Sequence, residues 1–249
     1  MTDLHTHILP GMDDGSRSFE MSIAMLREEA AQGVSTVALT PHYYRERESS
    51  GSFLERRFAA YTVLEEAIST LPETERAALP ARVLAAEVAW VPNLADCSHL
   101  RELCYQGTDV FLLELPMQPW YDGLFSQLYD LMNLTGLTPM IAHIDRYWTS
   151  QKPTRLAELY SLGLPTQLSA AALLRFSTRS RALKELQAGR VQYLMSDCHR
   201  IQERKPNILQ GMETIEKRLG AASRRRLETM TDSLLADYAQ TLDPVVLHT

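Results

Sequence analysis

Residues Asp3–Ser16 read DLHTHILPGMDDGS. His5 and His7 interrupt a short run that is otherwise built for a buried strand, and two acids, Asp13 and Asp14, follow in a glycine-bounded loop. Alternation with Leu4, Thr6 and Ile8 allows one plain reading, in which both imidazoles line the wet side of an edge strand. The rest of the chain decides between that reading and a site.

Working outward, short apolar runs alternate with longer amphipathic ones. The spacing predicts strands over Asp3–Ile8, Thr36–Thr40, Arg82–Val88, Val110–Leu115, Pro139–His143, Thr166–Leu168 and Val191–Met195, each of the near-continuous apolar type that a parallel sheet buries on both faces. Helical periodicity falls between them. Phe19, Ile23, Leu26 and Ala30 share a face, with Ser18 as N-cap and Gly33 as stop; further helices are expected over Phe53–Ser69, Leu124–Leu134, Thr154–Leu162, Arg179–Ala188, Ile208–Leu219 and Arg224–Ala239. No repeat, linker or low-complexity tract divides the chain, so a single domain over residues 1–249 is expected. Strand and helix alternating in this way predict an α/β protein, an incomplete barrel rather than an open doubly wound sheet, and no Gly-x-Gly-x-x-Gly follows any strand.

The polar residues sit where such a barrel would use them. His5, His7, His42, Glu87, Glu114, His143, Asp197 and His199 all fall at or just beyond the ends of proposed strands, and Asp14 lies in the first loop. The C-terminal mouth of an α/β barrel gathers side chains from different strands around one cavity. Imidazole and carboxylate together suit divalent Zn, Mn, Fe or Co, and four carboxylates in one pocket need positive charge to stay ionised. Taken singly, each of these residues reads as an ordinary polar strand end; together they predict a metal site. His99 and His248 lie off the pattern and read as surface residues.

The order His-x-His, Asp, Pro-His, Glu, Glu, Ala-His, Asp-x-His resembles the PHP family, the polymerase and histidinol phosphatase superfamily. DLHTHILPGMDDGS, TPHYY, IAHIDRY and SDCH are similar to its bacterial tyrosine-phosphatase branch from capsule and exopolysaccharide loci. The resemblance implies a distorted (β/α)7 barrel with three divalent metal ions, manganese first among the candidates. It implies that His5, His7, Glu87 and Asp197 hold one ion, that Glu87 bridges to a second held by Glu114 and His143, and that Asp14, His42 and His199 hold the third. Arg146 and Arg204 fall where that branch contacts phosphate, and Asp197 or His199 could assist protonation of the leaving oxygen. The implied activity is hydrolysis of phosphotyrosine by a metal-activated hydroxide, with a bacterial tyrosine kinase of polysaccharide synthesis as the phosphoprotein partner. Two departures stand out: the usual glutamate after Ala-His is Asp145, and the usual Gly-Arg-Pro reads Glu-Arg-Lys-Pro at Glu203–Pro206. Trp120, Tyr121, Tyr43 and Tyr44 read equally as a ring-stacking rim or as loop packing.

Other classes fare less well. A net charge of -6 excludes a nucleic-acid partner held by a basic field, and no stretch is long and apolar enough to cross a bilayer. Three cysteines without zinc-ribbon spacing point to a reducing, cytoplasmic setting. Cys198 and Arg204 stand in the Cys-x5-Arg spacing of thiol phosphatases, but the intervening loop lacks glycine and an acid precedes the cysteine. A phosphatase of a small ester such as histidinol phosphate, and a catalytically silent PHP-fold binding protein, remain as alternatives, and a homo-oligomer is left open.

Overall fold

The computed structural model describes residues 1–235. Among the described residues, nine strand segments, β1 (Thr2–Thr6), β2 (Thr36–Leu39), β3 (His42–Tyr43), β4 (Ala81–Leu84), β5 (Glu87–Ala89), β6 (Val110–Glu114), β7 (Thr138–Ile141), β8 (Gln167–Ser169) and β9 (Tyr193–Met195), are interspersed with nine α-helices. These are α1 (Phe19–Ala31), α2 (Ser50–Ser69), α3 (Glu73–Arg76), α4 (Leu124–Thr135), α5 (Pro153–Ser161), α6 (Ala170–Leu174), α7 (Phe176–Gln187), α8 (Ile208–Leu219) and α9 (Ala221–Leu234). The short helices α3 and α6 are not signalled by the periodicity. The last part of the helix expected over Arg224–Ala239, like His248, lies outside the described residues.

All the strand pairings are parallel, in the order β1-β2-β4, β3-β5-β6-β7 and β8-β9. β2 and β3 are two halves of one strand broken at Thr40-Pro41, and β4 and β5 are two halves of the next, broken at Ala85-Ala86. Proline has no N–H to give a ladder, and the partner strand kinks with it. The chain stays in register across the break, because Ala85 donates to the Leu39 carbonyl and Glu87 to that of Pro41. Parallel bridges Ile141↔Thr166 and Thr6↔Cys198 join the remaining edges, the second flanked by Asp197 N–H to His5 O (3.0 Å) and His7 N–H to Cys198 O (2.9 Å). Seven strands therefore close on themselves, which is the distorted (β/α)7 barrel expected.

The core has two compartments. Leu4, Ala38, Val83, Leu112 and Met140, one from each of five neighbouring strands, pack with Tyr105, Ala85 and Ala142 as the inside of the barrel. A larger shell that includes Ile23, Leu26, Phe53, Leu128 and Ile215 packs the helices against its outside. The first helix follows its predicted signals, with Ser18 accepting from the Met21 N–H and Gly33 at φ +79° leaving the helix in the left-handed region.

Candidate metal centre

Each predicted ligand comes off the strand end or loop that the sequence places it on, and the barrel brings them together. Glu87 Oε2 lies 3.2 Å from His5 Nε2, 3.4 Å from His7 Nε2 and 2.8 Å from His42 Nδ1. Glu87 Oε1 is 2.7 Å from His143 Nε2, which is 3.6 Å from Glu114. Asp197 Oδ1 faces His5, His7 and His199 at 3.5–3.6 Å, and Asp14 Oδ1 lies 3.4 Å from His199 Nε2 and 3.6 Å from His42 Nε2. Three overlapping sets have one ligand atom per residue mutually within 4.8 Å: His7, Asp14, His42 and His199; His5, His7 and Glu87; His42, Glu87 and Glu114. His42 thus stands between the Glu87–Glu114 pair and Asp14, closer to the former than its implied place with Asp14 and His199 alone.

The donor chemistry fits divalent cations. Asp197 Oδ1 and His199 Nε2 are buried in the cluster with no hydrogen-bond partner, and His42 Nδ1 meets Glu87 Oε2 only as an ion pair at 2.8 Å. An unsatisfied buried polar group costs about 1–3 kcal/mol, so two in one pocket, beside imidazoles and carboxylates crowded together at 2.7–3.6 Å, fit a bound cation better than a closed structural network. The proton of His7 meanwhile stands in for positive charge. Burial opposes a charge on His7, yet the Asp13 carboxylate holds its imidazole well above the ordinary value. Burial raises Glu87 and Asp197, but the histidines, His5 first, hold both well below the carboxylate range. Burial and the neighbouring His7 together push His199 down to about 3.

Two residues outside the predicted set orient the ligands. Asp13 accepts from His7 Nδ1 (2.7 Å) and from the backbone N–H groups of Gly15 (2.9 Å) and His42 (3.0 Å). Gln167 Oε1 accepts from His5 Nδ1 (3.2 Å), while its amide donates to the Tyr105 hydroxyl. Such partners fix the ring and tautomer of a metal-binding imidazole. Asp13 was visible as the first of a paired Asp-Asp, and Gln167 as a lone amide in an apolar strand. Gly15 allows the loop to close: a Cβ there would sit 2.3 Å from the His7 carbonyl oxygen.

Arg146 and Arg204 both donate to Asp197 Oδ2, the latter at 2.7 Å, and Arg204 Nη1 lies 4.0 Å from Asp14. Arg204 therefore reaches the cluster despite the missing glycine, with its own backbone at φ +52°. Among the described residues the other non-glycine positions at positive φ are His143 and Asp197, so the backbone's unfavourable conformations are concentrated at the site. Asp145 stays outside the cluster and accepts from the Ser169 N–H at 2.9 Å.

The aromatic expectations divide. Tyr43 is 1% exposed and packs on Phe53, and Trp120 is 5% exposed among Phe125 and Tyr147; both are core, because strand alternation and the fold of the 116–123 loop turn them inward. Tyr121 is exposed and donates to Gln127. Tyr44 alone of the four lines the cleft of about 400 Å³ beside Asp14 and His42. His99 is half-buried rather than on the surface, its Nδ1 3.0 Å from the Ser50 hydroxyl. Cys198 is fully buried, with Sγ 3.5 Å from Glu29 Oε1, and burial, Glu29 and Asp3 push its thiol well above the ordinary value. A thiolate nucleophile needs the opposite, which removes the Cys-x5-Arg reading.

A closed parallel barrel with a buried histidine–carboxylate cluster at one mouth defines a metal-dependent barrel protein. The chain belongs to the family described as "Capsular polysaccharide synthesis, CpsB/CapC", which matches residues 1–234. It is 28% identical over 242 residues to the tyrosine-protein phosphatase CpsB of Streptococcus pneumoniae, covering 91% of this chain and 94% of that one. It is 26% identical over 229 residues to the tyrosine-protein phosphatase YwqE of Bacillus subtilis, covering 89% and 86%. Its fold matches the crystal structures of YwqE and CpsB, described as unique metal-dependent tyrosine phosphatases, with a TM-score of 0.81, 24% identity and 95% of each chain covered. Among the described residues no helix is long and apolar enough to cross a membrane.

Proposed function

We propose that this chain is a metal-dependent protein-tyrosine phosphatase serving polysaccharide synthesis, with a bacterial tyrosine kinase as its phosphoprotein substrate and the cytoplasm as its place of action. The observation that carries the reading is the crowding of His5, His7, His42, His143 and His199 around Glu87, Asp197 and Asp14, with Arg146 and Arg204 both on Asp197 Oδ2. His5, His7, Glu87 and Asp197, then Glu87, Glu114 and His143, then Asp14, His42 and His199, are assigned to three divalent ions, manganese first. Such ions, when bound, acidify a water to a pKa near roughly 7 and draw charge from phosphate oxygens.

The chain's own groups supply the rest. Arg146 and Arg204 share one oxygen of Asp197, so both guanidiniums are aimed at the ligand cluster and can swing to the outer oxygens of a phosphate dianion. Asp13 and Gln167 hold His7 and His5 in the tautomer that leaves Nε2 facing the cluster. The leaving phenolate is a weak enough base to need little help, which suits a site whose nearest imidazole, His199, holds no proton near neutrality. The family membership and the names of the relatives support the substrate class. The test is phosphate release from a phosphotyrosine peptide, abolished by EDTA and restored by manganese; release indifferent to chelator would refute the reading.

A further inference from the structure

The structure places an aromatic side chain beside the ligand cluster, on the open cleft that Asp14 and His42 also line. Along the end of β3 successive side chains alternate, so Tyr43, turned into the core, sends His42 and Tyr44 to the opposite side. Their rings stand 5.4 Å apart at 31°. A turn that returns the Arg47 N–H to the Tyr44 carbonyl (2.9 Å) brings the Arg47 guanidinium over the Tyr44 ring, 4.2 Å from its centre. All three residues line the same cleft as Asp14. The rest of the cluster is deeper: His5, His7, Glu87 and His143 are each no more than 1% exposed.

Resting on the phosphatase reading above, we infer that the Tyr44–Arg47 pair is the specificity element of this site, packing against the aryl ring of phosphotyrosine while the phosphate reaches the ligand cluster below. A phosphoserine carries its phosphate close to the peptide backbone and has no ring to lay against Tyr44. A phosphotyrosine carries it at the far end of a flat ring, with the length to pass Tyr44 and a face to stack on it. Tyr44 offers an offset aromatic partner, and Arg47 a planar cation that can cover the same ring. Of the remaining candidates from the sequence, Tyr43 and Trp120 are buried, and Tyr121, though exposed, binds Gln127 and does not line this cleft.

The experiment is steady-state hydrolysis of matched phosphotyrosine and phosphoserine peptides, with manganese, by the full chain and its Tyr44→Ala, Tyr44→Phe and Arg47→Ala variants. The readout is the ratio of the two kcat/KM values, with circular dichroism to certify folding. Tyr44→Ala should lower the ratio about tenfold through KM for the phosphotyrosine peptide, Arg47→Ala about threefold, and Tyr44→Phe should keep it. An unchanged ratio in folded Tyr44→Ala, or a loss in Tyr44→Phe as large as in Tyr44→Ala, overturns the inference while leaving the phosphatase reading standing. A wild-type chain that hydrolyses neither peptide overturns both.

Discussion

The Asp13 carboxylate accepts a hydrogen bond from His7 Nδ1 at 2.7 Å, and through that one bond the loop after the first strand sets the direction of a candidate ligand in the barrel. An ionised carboxylate only accepts, so Nδ1 carries the hydrogen and Nε2 is left to the cluster. Asp13→Asn should weaken metal binding by about 10–100-fold, read by competition with a chelating dye, while the fold survives. Unaltered affinity would reduce Asp13 to a loop staple.

The same pair fixes the sign of the pH dependence. Burial opposes a charge on His7, but Asp13 raises its pKa, so the metal-free chain holds a proton there at neutral pH that a metal ion must expel. Affinity should rise with pH through neutrality. Calorimetry in buffers of differing ionisation enthalpy should show proton release on loading. His199, held at about 3, is already neutral and contributes none. In the metal-free chain the stability that His7 adds is present below its ordinary value and lost as pH rises through the raised one, so metal-free and loaded melting temperatures should diverge as pH increases. Loading without proton release at pH 7 would contradict this.

Cys198 separates the two phosphatase chemistries. Its sulfur is buried against Glu29, and it holds its proton. Cys198→Ser should keep a substantial part of the activity and alkylating agents should act slowly on the folded chain. A trapped phosphocysteine would overturn the mechanism.

Arg146 donates to Asp197 without belonging to any of the three ligand sets. Arg146→Ala should depress turnover more than about tenfold with metal content intact, since stabilisation of transition-state charge is lost and ligands are not. Near-normal turnover would leave Arg204 as the phosphate contact.

The clustering of the candidate ligands was legible because a strand buried on both faces has little reason to carry a histidine or an acid, so His5, Glu87 and Glu114 stand out against apolar neighbours. The breaks at Thr40-Pro41 and Ala85-Ala86 were not. They turn the expected Arg82–Val88 strand into two and make His42 a strand residue, a consequence of pairing across the barrel that local spacing does not carry. Tyr43 and Tyr44 could not be told apart for the same reason: which of them faces inward depends on where the broken strand resumes. Gln167 and His5 meet across 162 positions of sequence, and nothing near either residue names the other.

The central claim is that this cluster holds metal, and elemental analysis of the purified, active chain tests it most directly. Three overlapping ligand sets predict about two to three transition-metal ions per chain, lost together with phosphotyrosine hydrolysis on chelation. A folded chain that hydrolyses phosphotyrosine at full rate with no bound metal would contradict the account.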